Sequence, residues 1–389
     1  MSAERPDVLE LTKRLIAIES HAEAPGREAE VGRFLMRWFH DRGIDADLLA
    51  VDGDRSNVIA RIPGGGGPSL MLCGHLDTVP AGDMAYAFVP RVEDGVLRGR
   101  GACDMKGAVA AMACALASIQ TEHAPERRSA PLEGDLLFLG TVDEETGGLG
   151  VKAAIDAGIR ADRAVVGEPT DLRVALAHKG ACFVRITLIG RGAHGSCPER
   201  GISAVSYATR IVRAVEAELR PVIAGRTHRL LGRSTVNVGR VCGGTQPNIV
   251  AERCEIDIDR RTVPGDDDAL AEIRELVEGI CSGVDGLAFD VEEMAMTSVV
   301  PHVALETSPD APLARVAIAA IASNDLPAEP IGVTYWTDGG HLAASGIETV
   351  VLGPGEIANA HGPSDRVPIE QLRAAVDVYG AIARRLLTA

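Results

Sequence analysis

The sequence predicts an α/β fold: a central mixed sheet flanked by helices, interrupted by a smaller ferredoxin-like βαββαβ insertion. Three observations predict it. Short apolar runs bounded by glycine or proline (LMLCG at 70–74, DLLFLG at 135–140, AVVG at 164–167) alternate with stretches carrying a helical apolar stripe. From 180 to 295 the order becomes strand, helix, strand, strand, helix, strand, the content of one compact ferredoxin-like unit. After residue 296 the α/β alternation resumes. The expected domains are therefore 1–179 and 296–389, together forming the main body, with 180–295 inserted.

Residues 7–20 read as a helix with Val8, Leu11, Leu15 and Ile18 on one stripe. The pattern repeats over 28–41 with Val31, Phe34, Leu35, Trp38 and Phe39, closed by Gly43. A strand at 57–62 runs into four glycines at 64–67, which read as a hairpin turn. They lead into a strand and lack a following Lys-Ser/Thr, so they are no phosphate loop. The next strand ends in His75 and Asp77, two apart and so on one face, at the C-terminal rim where open α/β sheets keep their ligands. Taken alone, this stretch fits a buried histidine held by an aspartate equally well.

Asp104 stands just ahead of a small-residue helix at 106–119, where capping alone would explain it. Residues 121–134 are polar and contain proline, as in a surface loop. The strand at 135–140 ends in Asp143, Glu144 and Glu145, and AVVG delivers Glu168. Acids gathered at the ends of apolar strands repel one another and lose hydration, which a cation relieves better than a surface turn does. In the insertion the strands are 182–190, 234–244, 250–261 and 287–296, and the helices 202–219 and 266–281. Helices then follow at 314–322 and from TDGG (337–340), with a strand at 348–355 and a last helix at 369–387. His361 lies in a Gly/Pro loop before that helix.

Composition narrows the function. The 389 residues carry 39 Lys+Arg against 55 Asp+Glu, a net charge of −16, which argues against nucleic acid or an anionic membrane as partner. The first ten residues form no signal peptide, and no apolar run approaches a membrane span. Eight cysteines occur without a C-x-x-C pair, as expected of reduced thiols in a cytoplasmic protein.

His75, Asp104, Glu144, Glu145, Glu168 and His361 form a nitrogen/oxygen set without thiolate, suited to zinc or a similar divalent ion. Such a set could hold two ions bridged by one carboxylate, leaving one acid free as general base. GHLDTVP, GRGACDMKG, TVDEE, GEPT, the AHGS of the insertion and the late AH before GPSD resemble the M20 family of di-zinc metallopeptidases and N-deacylases. Within it, the acetylornithine deacetylase/succinyl-diaminopimelate desuccinylase branch is most similar.

The resemblance implies a zinc-peptidase-like catalytic domain with an inserted lid and dimerisation domain. It implies His75 and Glu168 on one zinc, Glu145 and His361 on the other, and Asp104 bridging, with cobalt able to substitute. Asp77 would orient His75, Glu144 would be the general base, and His194 would donate to the developing oxyanion, in cis or from the other subunit of a homodimer. Asn248 and Arg261 would lie near the substrate carboxylate, with Gly339 contributing backbone close by. A cis Asp104–Met105 peptide is expected. The chain departs from the family at Asp365, where relatives usually carry glutamate; metal binding is expected to survive this, the shape of the pocket being what it puts in doubt. The implied reaction is release of an N-acyl group from an amino acid. A dipeptidase or carboxypeptidase is the alternative, and a non-catalytic metal scaffold a remoter one.

Overall fold

The computed structural model describes residues 6–123, 131–266, 268–294 and 301–388. Residues 124–130 of the loop expected over 121–134, and the insertion boundary expected at 295–296, lie outside these residues. The chain divides into two compact units: Met1–Ala177, Leu305–Val333 and Thr337–Ala389 form one, and His178–Ala304 with Thr334–Trp336 the other.

The first unit opens with α1 (Val8–Ile16), capped by Asp7, whose side chain accepts from the Leu9 and Glu10 N–H groups. The helix stops short of its expected end at 20, and at its end the carbonyls of Leu15 and Ile18 accept from the buried Lys106 Nζ, at 3.0 and 2.7 Å. After α2 (Ala29–His40) come β1 (Asp45–Asp52), β2 (Arg55–Ile62) and β3 (Gly67–His75). Unanticipated from sequence, β1 is a largely exposed edge strand, so it lacks the apolar alternation that betrays half-buried strands. β4 (Arg91–Glu93), β5 (Val96–Arg98), α3 (Lys106–Glu122), β6 (Gly134–Thr141), α4 (Leu149–Asp156), β7 (Arg163–Val166) and β8 (Ala175–His178) complete this segment.

In the second unit, β9 (Gly180–Ile189) leads to α5 (Ala204–Ala214), which continues through a π turn at Val215–Leu219 into α6 (Arg220–Ala224). The π turn falls where Pro221 brings no N–H to the helical ladder. A short hairpin of β10 (Thr227–His228) and β11 (Gly232–Arg233) precedes β12 (Thr235–Gly243), β13 (Arg253–Thr262), α7 (Ala269–Cys281) and β14 (Ala288–Glu293). The sheet order is β12-β13-β9-β14, with every pair antiparallel: the ferredoxin-like arrangement. Val184, Ile186, Leu188, Ile256 and Ile258 face one side and join Ile211, Val215, Ile273 and Val277 of the helices in a single core.

The chain returns to the first unit with β15 (Leu305–Glu306), α8 (Pro312–Ala322), β16 (Ile331–Val333), α9 (Gly339–Ala344), β17 (Glu348–Val351), β18 (Arg366–Pro368) and α10 (Ile369–Leu387). Its main sheet runs β1-β2-β6-β3-β7-β17-β8-β15, with β16 beside β8. The glycines at 64–67 are not a hairpin turn: β6 lies between β2 and β3 and pairs with each. Glycine is needed there because the backbones nearly touch; a Cβ on Gly64 would stand 2.2 Å from the Gly134 carbonyl oxygen. β6, β3, β7 and β17 are parallel, with Leu139, Cys73, Val166 and Val351 level across them, so four strands end together at one rim. Behind the sheet, α3 is buried from Lys106 to Ala117; its run of alanines lets it pack close to α1, α10 and β3. Among the described residues no helix is long and apolar enough to cross a membrane.

Candidate metal centre

The rim collects the acids and histidines that the sequence points to. His75 is the last residue of β3, and Glu168 stands two residues past β7. Asp104 ends the loop before α3, and its peptide bond to Met105 is cis. Glu144 and Glu145 follow β6 after a turn in which Asp143 takes the left-handed conformation (φ 70°). Arg55 holds that turn: its guanidinium donates to Asp143 at 2.5 Å and forks onto Glu28 at 2.7 and 2.8 Å. His361, also left-handed (φ 59°), comes from the loop between β17 and β18.

Asp104 stands at the centre. One carboxylate oxygen lies 2.9 Å from Nε2 of His75 and the other 3.1 Å from Nε2 of His361. Glu168 closes on His75 at 3.6 Å, and Glu145 on His361 at 3.1 Å. Two ligand groups result, His75–Asp104–Glu168 and Asp104–Glu145–His361, each with its donor atoms within 4.8 Å of one another. Asp104 belongs to both, so it is no helix cap: α3 begins without a side-chain cap. The carboxylate of Glu144 accepts no hydrogen bond among the described residues.

Asp77 does more than the sequence suggests. Nδ1 of His75 is 3.0 Å from the Asp77 carbonyl and 3.5 Å from its carboxylate. The carboxylate instead accepts the backbone N–H groups of Glu144 and Glu145, at 3.2 and 2.9 Å.

Electrostatics show a site short of positive charge. Burial, with Glu168 nearby, pushes the Glu144 carboxyl well up. Burial also raises Glu168, more than His75 lowers it. Burial disfavours a charged His75, yet Glu168, Asp104 and Asp77 outweigh this and raise its pKa. Hydrogen bonds to Asp104 and Glu145 lift His361 to about 10. Carboxyls that retain protons and histidines that gain them mark a donor set in which protons substitute for cations. The set is all nitrogen and oxygen, so the residues fit two divalent ions.

The remaining expected residues fall elsewhere. His194 and Asn248 lie together on exposed turns of the second unit, where Gly195 N–H donates to the Asn248 carbonyl at 2.7 Å. Arg261 is partly exposed on β13 and forks onto Asp259, whereas Arg260 is fully buried against Asp266. Gly339 opens α9 in the first unit. Its neighbour Asp338 was not anticipated as a site group. It is buried, accepts from Thr141 Oγ1 at 2.7 Å, and is pushed up to about 7 by burial. Arg55 was missed as well; an arginine at the start of a largely buried strand was its signal.

The chain is 32% identical over 363 residues to acetylornithine deacetylase of Myxococcus xanthus, covering 91% of this chain and 87% of that protein. The crystal structure of aminopeptidase PepT from Bacillus cereus superposes with a TM-score of 0.79 at 22% identity, covering 98% of this chain and 99% of that one. A dinuclear metal binding peptidase of Bacillus subtilis gives 0.68 at 18% identity, covering 98% and 97%. The profile of peptidase family M20/M25/M40 matches residues 71–385. The chain belongs to that family of hydrolases.

Proposed function

We propose that the protein is a two-metal amide hydrolase that removes an N-acyl group, acetyl or succinyl or similar, from an amino acid. One observation carries the reading: Asp104 offers one oxygen beside His75 and the other beside His361, while the adjacent Glu144 carboxylate is committed to neither group. His75 and Glu168 would hold one ion, Glu145 and His361 the other, with Asp104 bridging. Zinc is the ion that best suits these donors, and cobalt can substitute. Bound there, the ions supply a water of lowered pKa and an electrophile for the amide carbonyl.

The chain's own residues do the rest. Glu144 takes a proton from the attacking water and returns it to the departing amine, a role open to it because its carboxylate belongs to neither ligand group. Asp77 fixes the backbone that carries Glu144 and Glu145. His194 donates to the oxygen that gains charge at the carbonyl. Asn248 and Arg261 receive the substrate carboxylate, for which a guanidinium fork is matched, and Gly339 lends close backbone. The second unit joins two chains in a homodimer in which His194 serves the partner's site.

The similarity to an acetylornithine deacetylase favours deacylation. The likeness to an aminopeptidase makes a peptidase the second reading. Amine release is measured from N-acetyl, N-succinyl, N-formyl and N-carbamoyl amino acids alongside dipeptides, before and after chelation. Turnover of an N-acyl amino acid, abolished by chelator and restored by zinc or cobalt, is the expected result. Turnover of dipeptides alone would select the peptidase, and undiminished activity in metal-free protein would end the two-metal account.

A further inference from the structure

The loop that carries His361 is exposed from Glu356 to Ala358 and again at His361 and Pro363, yet it ends in one of the most deeply buried acids of the molecule. Asp365 has no exposed surface. Its Oδ2 accepts from the Gly101 N–H at 2.7 Å and its Oδ1 from the Cys103 N–H at 2.8 Å. These donors sit in the loop that ends at Asp104. Arg100, also buried, donates to the Asp365 carboxylate at 3.4 Å and to the Gly362 carbonyl at 3.2 Å. Its remaining hydrogen bonds reach the Pro80 and Ala81 carbonyls at 3.1 and 3.3 Å, just past the His75–Asp77 strand end.

We propose that Arg100 and Asp365 are positioning residues for the Asp104–Glu145–His361 group: they fasten the His361 loop to the Asp104 loop and set the distance between those two ligands. The inference rests on the two-metal reading above and adds a mechanism to it. The effect is one-sided. Residues 100–117 are buried and held by the packing of α3, so the Asp104 side stays in place when the latch is cut. Residues 356–364 are partly or fully exposed, and His361 takes a left-handed backbone conformation uncommon for any non-glycine residue, so that side relaxes. His75 and Glu168 come from strand ends that Asp365 does not touch, and Arg100 reaches that side only through the Pro80 and Ala81 carbonyls, beyond Asp77. Their group should therefore survive.

The test uses Asp365→Asn, which removes the charge facing Arg100 and spoils one N–H contact, and Arg100→Lys, which keeps a charge but loses the planar guanidinium that reaches both Asp365 and Gly362. Folding is checked by circular dichroism and thermal melting, and either variant alone suffices if the other fails to fold. Metal-free protein is titrated with zinc calorimetrically. Wild type should show two binding events; the variants should keep the tighter or first within about threefold and lose about 10–100-fold in the other, as loss of supporting contacts around a ligand typically does. Hydrogen exchange over 356–364, measured without metal, should be faster in the variants. Two events at wild-type affinities, or unchanged exchange over 356–364, overturns the proposal. A wild type that binds no second ion sinks the two-metal reading instead, and the exchange measurement still decides the latch.

Discussion

The Asp77 carboxylate reaches the backbone of Glu145, 68 residues further along the chain: Oδ2 accepts that N–H at 2.9 Å, while Oδ1 accepts from Glu144 at 3.2 Å. One acid thus sets the direction of both glutamates and, through its own carbonyl, the ring of His75. Asp77→Asn turns one acceptor into a donor facing an N–H. Activity should fall by about 10–100-fold, with weaker metal retention, the usual cost of disturbing groups behind metal ligands. Unchanged kcat and metal content would reduce Asp77 to a bystander.

Glu144 and Glu145 are adjacent yet expected to behave differently. Glu144→Gln should lower kcat by about 10²–10⁴-fold while two ions stay bound, because its carboxylate touches neither ligand group. Glu145→Ala should lose metal, since its carboxylate faces His361 at 3.1 Å. Metal analysis of the purified variants separates them; a Glu144→Gln protein stripped of its ions would reverse the two roles.

His341 gives a pH dependence of stability that is separate from the metal. Burial in α9 lowers its pKa to about 4 from an ordinary 6.5. Between those values the unfolded chain binds a proton that the native chain refuses. The stability is therefore fully present above pH 6.5 and is lost as pH falls through 4, on the order of 3 kcal/mol in all. Urea midpoints of metal-free wild type and His341→Gln, compared from pH 7 to 4.5, should diverge in slope, the wild type being steeper. Parallel curves would show that His341 does not titrate in this way.

Subunit mixing tests whether His194 acts across a dimer. Glu144→Ala and His194→Ala are each expected to be inactive. In an exchanged heterodimer one site regains both groups, and activity should return to about half the wild-type level per dimer. Mixtures that stay inactive after proven exchange would place His194 in cis or outside the reaction.

The legible part of this protein is the part with periodicity or pattern. The helix at 369–387 is placed to the residue, because its apolar stripe is unbroken and a proline precedes it. The acids at the strand ends are legible because carboxylates after an apolar run demand a reason. β1 was not, since an exposed edge strand needs no apolar alternation. The topology around 64–67 was misjudged because proximity in sequence suggested a hairpin, while β6 arrives from 70 residues away to pair between the two strands. Arg55, Arg100 and Asp338 escaped for a related reason: a buried charge is recognised by its partners, and those partners lie far along the chain.

The second unit interrupts the ligand series, and this has a consequence for how the protein is made. His75, Asp104, Glu145 and Glu168 all precede it, and only His361 follows. On the ribosome, every residue of the His75–Asp104–Glu168 group emerges before the first strand of the ferredoxin-like unit. That unit is almost contiguous and can fold as a block while synthesis proceeds. The other group stays open until its histidine is translated, nearly two hundred residues after Glu168. On the two-ion reading, the second group cannot be completed until His361 is made, when the segment that finishes the main sheet is also emerging.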